Sequence, residues 1–180
     1  MIYETEHLRV RHFLESDAAD LFEYCSDPEV TKYLTFPTYQ NISEAYMRIA
    51  YMRRRYDQDY KDGIDFAIEH KEGKKVIGSI GLHRYSEKRA RSIEVGFALH
   101  SKFRNDIYIP EVLKGLFRYI KDNDIAWRIE AIHNLENHKY SAILSQAGMR
   151  FEGVMRKAWT CKSQKRADVA LYSILVEEIE

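Results

Sequence analysis

The sequence has little cysteine and no long apolar run, and each absence argues against a class of protein. Its 180 residues include two cysteines, Cys25 and Cys161, which form no CxxC pair. A disulfide framework or a zinc ribbon is therefore not expected. No apolar stretch approaches the roughly 18 residues that a membrane-spanning helix needs. The N-terminal segment lacks a basic region followed by an apolar one, so no signal peptide is predicted. We expect a cytoplasmic protein without a membrane partner.

The sequence also lacks an excess of charge of either sign. Lys and Arg together number 28, Asp and Glu together number 28, and the formal net charge is zero. This balance removes the main argument for a nucleic-acid partner, because proteins that bind nucleic acids usually carry a basic excess or a basic face. The three prolines and eight glycines are scattered rather than gathered into a linker. A single domain over residues 1–180 is predicted.

Hydrophobic periodicity predicts a mixed succession of helices and strands. The front of the chain alternates polar and apolar residues over 8–13. It then shows helical patterns after Ser16 and Asp17, at Pro28, and after a cap at Ser43. The remainder predicts strands at 65–70, 76–83, 92–100, 128–133, 149–155 and 167–176, and helices at 110–123 and 137–147. This order predicts an α+β (mixed α/β) domain with about seven strands and about four helices.

Familiar catalytic and binding motifs are not found. The chain contains no GxSxG elbow, GxxxxGK[ST] phosphate loop or HExxH helix, and its seven histidines show no metal-ligand spacing. No metal site is predicted. Gly78 and Gly81 lie inside a strand pattern, which indicates a bulge or a close backbone approach. Cys161 is interpreted as an ordinary loop cysteine, and the arginines at 53–55 as a solvated helix face.

Three groups of residues, taken in order, resemble one known family. They are TEHLRVR at 5–11 with SDPEV at 26–30, IGSIGL at 77–82 with IEVGF at 93–97, and RIEA at 128–131 followed by Asn137, Leu144, Gly148, Glu152, Gly153, Arg156 and Asp168. Together they are similar to the GNAT acetyltransferases, in particular to the ribosomal-protein N-terminal acetyltransferase branch. The resemblance extends over essentially the whole chain.

The resemblance implies a V-shaped, mostly antiparallel sheet, splayed between its fourth and fifth strands, with acetyl-CoA lying in the cleft. The acetyl group would pass directly to a primary amine in a ternary complex. A protein N-terminus is the acceptor that the branch suggests, while polyamines, antibiotics and amino acids stay open. The residues implied to bind the cofactor are Phe97 and Leu99 along the pantetheine arm, Arg104, Asn105, Asp106, Ile107, Tyr108 and Ile109 in the pyrophosphate loop, and Asn137.

Two residues are candidates for the chemistry. Glu94 matches the glutamate of the family's fourth strand and could act on the amine through a water. The alternative is an exposed carboxylate paired with Arg91. Tyr140 is the candidate acid for the leaving thiolate, since Leu144 occupies the position of the family's frequent tyrosine. Its alternatives are simple packing on the helix face and a role for the neighbouring Ser141.

The cofactor loop departs from the family pattern. Ile107 stands where the motif has its central glycine, and a β-branched residue would be strained if that position required a positive φ. This departure motivates a second hypothesis, a GNAT-fold protein that binds or senses a ligand without turnover. A homodimer is a further hypothesis, because tyrosines at 46, 51, 56 and 60 could form an interface, although they could equally line the acceptor cleft or belong to ordinary helix faces.

Overall fold

One sheet of eight strands organises the part of the chain that the computed structural model describes, residues 1–56, 63–104, 107–160 and 165–179. The strands are β1 (Tyr3–Glu4), β2 (Leu8–Arg11), β3 (Ile64–His70), β4 (Lys75–Ser86), β5 (Ser92–Leu99), β6 (Arg128–Asn134), β7 (Arg150–Thr160) and β8 (Arg166–Leu175). The helices are α1 (Ala18–Cys25), α2 (Pro28–Thr31), α3 (Ile42–Arg55), α4 (Tyr108–Asp122) and α5 (His138–Gln146).

The strands lie in the order β1-β2-β3-β4-β5-β6-β8-β7. Every neighbouring pair is antiparallel except β5 and β6, which are parallel. The predicted mixed α/β class is confirmed. Each predicted helix and strand has a counterpart in the described residues, and β1 is an addition, since two residues are too few to show a period.

Helices cover both faces of the sheet and bury two apolar clusters. On one face, Leu113 and Leu116 of α4 and Leu144 of α5 pack against inward-facing residues of the strands. On the other face, Leu21 of α1 and Ile49 of α3 pack against the sheet. Because side chains alternate along a strand, consecutive residues of β5 serve opposite faces. No helix of the described residues is long and apolar enough to span a membrane.

Two helix starts differ from the prediction. The side chain of Asn41, rather than that of Ser43, caps α3, and its Oδ1 accepts a hydrogen bond from the Ser43 amide at 3.2 Å. Helix α4 begins at Tyr108, two residues before Pro110, so the proline lies within the first turn, where its missing N–H costs little. Gly148 follows α5 with a φ of +100°, the left-handed conformation in which glycine commonly ends a helix.

The predicted tyrosine surface is only partly a surface. Tyr46 and Tyr51 are exposed on α3. Tyr56 is instead part of the packing: its hydroxyl donates to the Asp65 carbonyl and accepts from the Phe13 amide, both at 2.9 Å. Tyr60, like Cys161, lies outside the described residues.

The close backbone approach predicted from Gly78 and Gly81 is present in β4. A Cβ atom at Gly78 would lie 2.3 Å from the carbonyl oxygen of Ala98 and 2.8 Å from the Leu99 side chain. The neighbouring strand therefore leaves room for hydrogen alone at this position. Gly78 pairs with Leu99 at the end of β5, so its small size sets how closely the two strands meet there.

Replacing Gly78 with alanine should destabilise the fold by about 1–3 kcal/mol, because the added methyl group forces the β4 and β5 backbones apart. Urea unfolding measures the change. The matched control is Gly73→Ala in the turn before β4, where the nearest atom to a new Cβ is the His70 Nδ1 at 3.5 Å. Equal stability of the two variants would contradict this account of Gly78.

Candidate functional site

The parallel strands β5 and β6 pair over only three residues. The ladder joins Ser92 to Arg128, Ile93 to Ile129 and Glu94 to Glu130, and then stops. β5 nevertheless continues to Leu99 and β6 to Asn134, each still paired with its outer neighbour. The two strands therefore part after Glu94, and a cleft opens between two half-sheets. Beyond this point, the β5 backbone has its ladder partner on one edge only.

Glu94 lies at the last rung of this ladder. Its side chain is largely buried, and its Oε2 lies 3.3 Å from a guanidinium nitrogen of Arg84. The predicted alternative partner, Arg91, instead forms an ion pair with Asp124. Burial raises the pKa of Glu94 above its ordinary value, although Arg84 and His83 act in the opposite direction. A carboxylate with a raised pKa holds a proton more readily than an exposed one.

A second carboxylate stands directly opposite Glu94. Glu130 of β6 is buried, and its Oε1 lies 2.8 Å from Arg128 Nε and 3.3 Å from a guanidinium nitrogen of Arg89. The negative charge of Glu130 contributes to the raised pKa of Glu94. Arginines thus partly balance the two facing carboxylates at the apex of the cleft, which is the point where β5 and β6 part.

Tyr140 lies inside the cleft, on the face covered by α4 and α5. Its ring stacks on Phe97, with centroids 4.4 Å apart and planes 4° from parallel. Burial raises the pKa of its phenol, and the charge of Glu94 adds to that rise, while a hydrogen bond with the Phe97 backbone acts against it. Tyr140 and Glu94, predicted separately from the sequence, are therefore close enough for one charge to affect the other.

Two other residues of α5, Ser141 and Leu144, have contacts that differ from those of Tyr140. The hydroxyl of Ser141 lies 3.0 Å from His133 Nε2, and His133 is buried between the rings of Tyr140 and Tyr172. Burial lowers the pKa of His133. Leu144 is completely buried in the core and has no proton to donate.

The predicted cofactor loop is described except for Asn105 and Asp106, which lie outside the described residues. Arg104 donates from Nε to the Leu99 carbonyl at 3.0 Å, which fixes it beside the end of β5. Ile107 immediately precedes α4 with a φ of −100°, in the right-handed region. The positive φ that would strain a β-branched residue is therefore absent here.

The rest of this loop leads into α4. The side chain of Ile107 is 57% exposed, whereas that of Ile109 is buried in the core. The hydroxyl of Tyr108 lies 3.0 Å from His70 Nε2. The N-terminus of α4, four residues after Arg104, is the positive end of the helix dipole and suits an anion. Asn137, the residue before α5, forms no side-chain hydrogen bond with the described residues and is only half-buried.

A cluster that the sequence did not predict lies on the opposite face of the cleft. The carboxylate of Asp65 contacts both Arg48 of α3 and His83 of β4, the latter at 3.3 Å between Oδ1 and Nε2. His83 is the direct cross-strand partner of Glu94. The one signal of this cluster in the sequence was the pair of glycines in β4. Gly81 lies directly beneath the contact between Asp65 and His83, where a side chain would not fit.

The described residues contain no group of His, Cys, Asp or Glu arranged to hold a metal ion. Cys25 is buried, and burial raises the pKa of its thiol to about 12, so it is not a reactive thiolate at neutral pH. Asp168, a member of the third group of motif residues, accepts a hydrogen bond from the Lys157 amide at 2.9 Å and lies 3.4 Å from the Lys157 Nζ.

The chain belongs to the GNAT acetyltransferase family, since the family model for the acetyltransferase (GNAT) domain matches residues 7–150. Two relatives match over nearly the full length of both chains, 97% of this chain and 96% of each relative. They are the uncharacterized N-acetyltransferase YoaA of Bacillus subtilis, 28% identical, and the uncharacterized N-acetyltransferase p20 of Bacillus licheniformis, 29% identical. The predicted enzyme class, a GNAT-type N-acetyltransferase, is confirmed.

Solved structures share the fold. A GNAT-family acetyltransferase from Bacillus anthracis superposes with a TM-score of 0.82 at 23% identity, over 97% of this chain and 98% of that one. The microcin C7 self-immunity acetyltransferase MccE, solved with acetyl-CoA and AMP, gives 0.82 at 17% identity over 94% and 93%. The ribosomal-protein-S5-alanine acetyltransferase of Vibrio fischeri gives 0.80 at 18% identity over 99% and 98%.

Restoring the family glycine at position 107 should not improve cofactor binding. Ile107 is unstrained, so Ile107→Gly adds only backbone freedom and should weaken acetyl-CoA binding by about two- to fivefold. Calorimetric titration measures the dissociation constants, and Ile107→Ala controls for loss of the side chain alone. A tenfold gain in affinity for the glycine variant would show that the isoleucine obstructs the loop.

Proposed function

We propose that the chain transfers the acetyl group of acetyl-CoA directly to a primary amine in the cleft between β5 and β6. The parting of these strands after Glu94 supports this most strongly, because it leaves one edge of β5 without its ladder partner in the middle of an otherwise paired sheet. An extended amide-containing arm can pair with such an edge. Acetyl-CoA supplies that arm and the thioester from which the acetyl group is taken.

The residues around the cleft suit this cofactor at several points. Phe97 and Leu99 lie on the freed edge of β5, where the pantetheine would pair. Arg104 and the start of α4 offer positive charge for the pyrophosphate. The start of α4 is formed by Ile107, Tyr108 and Ile109. On the other side of the cleft, Asn137 offers its side-chain amide. Asn105 and Asp106 remain proposed members of the loop.

Glu94 and Tyr140 would share the proton movements. The buried carboxylate of Glu94 draws a proton from the incoming ammonium through a water, which frees the nitrogen lone pair. The phenol of Tyr140 donates to the departing thiolate, which a nearby proton donor stabilises. Tyr140 lies on the face of the sheet covered by α4 and α5, and Glu94 projects from the opposite face. The amine and the cofactor therefore approach the cleft from opposite sides of the sheet.

A protein N-terminus is the acceptor class that we favour. An α-amine has a pKa of about 7.7 to 8.0 and loses its proton more easily than a lysine side chain, with a pKa near 10.4. The likeness in fold to the ribosomal-protein-S5-alanine acetyltransferase agrees with this choice. Exposed Tyr46 and Tyr51 on α3, on the same side of the sheet as Glu94, provide apolar surface for a peptide.

The experiment is acetylation of an acceptor panel by the purified chain, followed by mass spectrometry and by release of free thiol. The panel contains peptides with N-terminal alanine, serine and threonine, the same peptides with blocked N-termini and a free lysine, and spermidine. Acetylation of the free N-termini is expected. Acetyl-CoA binding without acetylation of any amine would overturn the proposal and favour the ligand-binding alternative.

Glu94→Gln should lower kcat by about 100-fold near neutral pH, because the amide cannot accept the proton. The pH profile of the wild type should rise as pH passes upward through the raised pKa of Glu94, where the basic carboxylate forms, and the variant should lack this rise. Asp124→Asn, which removes an exposed carboxylate from an ion pair away from the cleft, is the control. A wild-type profile in the Glu94 variant would exclude the carboxylate as the base.

A further inference from the structure

The backbone groups of Phe97 and Leu99 point to the freed edge of β5, which is its side without a ladder partner after Glu94. In an antiparallel pair, the N–H and C=O groups of alternate residues point to the partner strand, and those of the residues between point away from it. The amide of His100 donates to the Ile77 carbonyl of β4 at 2.8 Å, and the register is regular from Leu99 back to Glu94. Counted back from His100, Leu99 and Phe97 are residues that point away from β4.

The carbonyl of Leu99 already has a partner from the chain itself. Arg104 donates to it from Nε at 3.0 Å, and an Nη nitrogen of the same guanidinium lies 3.3 Å from the Glu29 carbonyl. Two backbone carbonyls, one on β5 and one on α2, thus hold the guanidinium over the end of the freed edge. Arg104 is also the residue that offers positive charge to the pyrophosphate, so one side chain has two alternative partners.

The amide of Phe97 has a partner as well. The ring of Tyr140 stacks on the Phe97 ring with 4.4 Å between centroids, and it lies 5.5 Å from the ring of His133 on β6. Tyr140 therefore bridges the two strands beyond the point where they part. A hydrogen bond with the Phe97 backbone acts to lower the pKa of the phenol, as a donor does, so the Phe97 N–H donates to the Tyr140 hydroxyl.

An extended arm that pairs with this edge needs the same backbone groups. Pantetheine carries amides, which can bond to the N–H and C=O groups of a strand edge. Such groups are costly to bury without partners, and here two side chains of the chain supply those partners. The cofactor can therefore pair with Phe97 and Leu99 only once Tyr140 and Arg104 have moved off them.

We propose that Tyr140 and Arg104 cap the freed edge of β5, and that acetyl-CoA binds by displacing both side chains from the backbone. This inference rests on the proposed acetyl transfer and adds how the cofactor site opens. Each displaced group has a partner on the same cofactor, because the guanidinium of Arg104 meets the pyrophosphate and the phenol of Tyr140 meets the sulfur. The phenol thus becomes available as an acid when the arm takes its place on Phe97.

The first test is Tyr140→Phe, which keeps the stacked ring and removes the hydroxyl. The variant should bind acetyl-CoA about two- to tenfold more tightly than the wild type, because one hydrogen bond no longer has to be broken. The contact with sulfur that it loses is weak, since sulfur is a poor acceptor. Calorimetric titration measures the dissociation constants. Tyr3→Phe is the matched control, because its hydroxyl donates to the Val112 carbonyl at 2.8 Å outside the cleft, and its affinity should equal that of the wild type.

The second test compares two ligands with Arg104→Met, which keeps an apolar stem and removes the donors. S-acetylpantetheine has the arm but no pyrophosphate, so the variant should bind it about two- to tenfold more tightly than the wild type. Acetyl-CoA also loses a charged partner for its pyrophosphate, and the variant should bind it about 10- to 100-fold more weakly. The two ligands therefore respond in opposite directions, and thermal unfolding checks that the variant is folded.

A third measurement needs no ligand. Amide exchange followed by NMR should show faster exchange of the Phe97 N–H in Tyr140→Phe than in the wild type, because its acceptor is gone. Any one of three results would overturn the proposal: no gain in affinity for Tyr140→Phe, weaker binding of both ligands by Arg104→Met, or an unchanged exchange rate at Phe97. Acetyl transfer by the wild type would then leave the proposed function intact. A wild type that binds acetyl-CoA and acetylates no amine would overturn the proposed function, while the three measurements still decide whether the edge is capped.

Discussion

The arrangement of the site depends on where the β5–β6 ladder ends. β5 is paired with β4 to its last residue, and β6 is paired with β8 along its whole length, so each half-sheet is continuous. Only three residue pairs join the halves. Parallel strands that part inside a sheet must leave backbone groups without ladder partners, and such groups are costly to bury unless they find others. The cleft is thus a direct consequence of the strand pairing.

The apex of the cleft concentrates charge that the fold must balance. Glu94 and Glu130 face each other across neighbouring strands, an arrangement that is unfavourable for like charges. Arg84 pairs with the first carboxylate, while Arg89 and Arg128 pair with the second. Both carboxylates remain largely buried, which keeps the pKa of Glu94 raised. The same balance of burial and charge that stabilises the apex would suit Glu94 to the proton transfer that we propose.

Much of the fold could be predicted from the sequence, because periodicity and turn residues act locally. The strand at 92–100 and the helix after it follow from the alternation and from the 3.6-residue spacing. Strand order, and with it the contact between Asp65 and His83, depends on pairing between residues 18 positions apart. The glycines of β4 signalled a close approach, but not that a histidine from the same strand would lie over one of them.

In the cofactor loop, the sequence suggested a strain that the structure does not have. A glycine position in a family pattern suggested strain at Ile107, yet the observed φ of −100° is ordinary for isoleucine. A motif records which residue relatives use and leaves open whether a given backbone needs it. Likewise, the sequence left both Tyr140 and Ser141 open as candidates, and it could not show that the packing of α5 turns the first toward Phe97 and the second toward His133.

Acetyl-CoA, on our proposal, binds along the freed edge of β5. Hydrogen–deuterium exchange of the chain, with and without acetyl-CoA, tests it most directly at the level of backbone amides. With acetyl-CoA bound, we expect slower exchange in the segment from Val95 to Leu99 and at the start of α4. Protection confined to another surface, such as the groove between β1 and α4 lined by Tyr3, Gly115 and Tyr119, would contradict it.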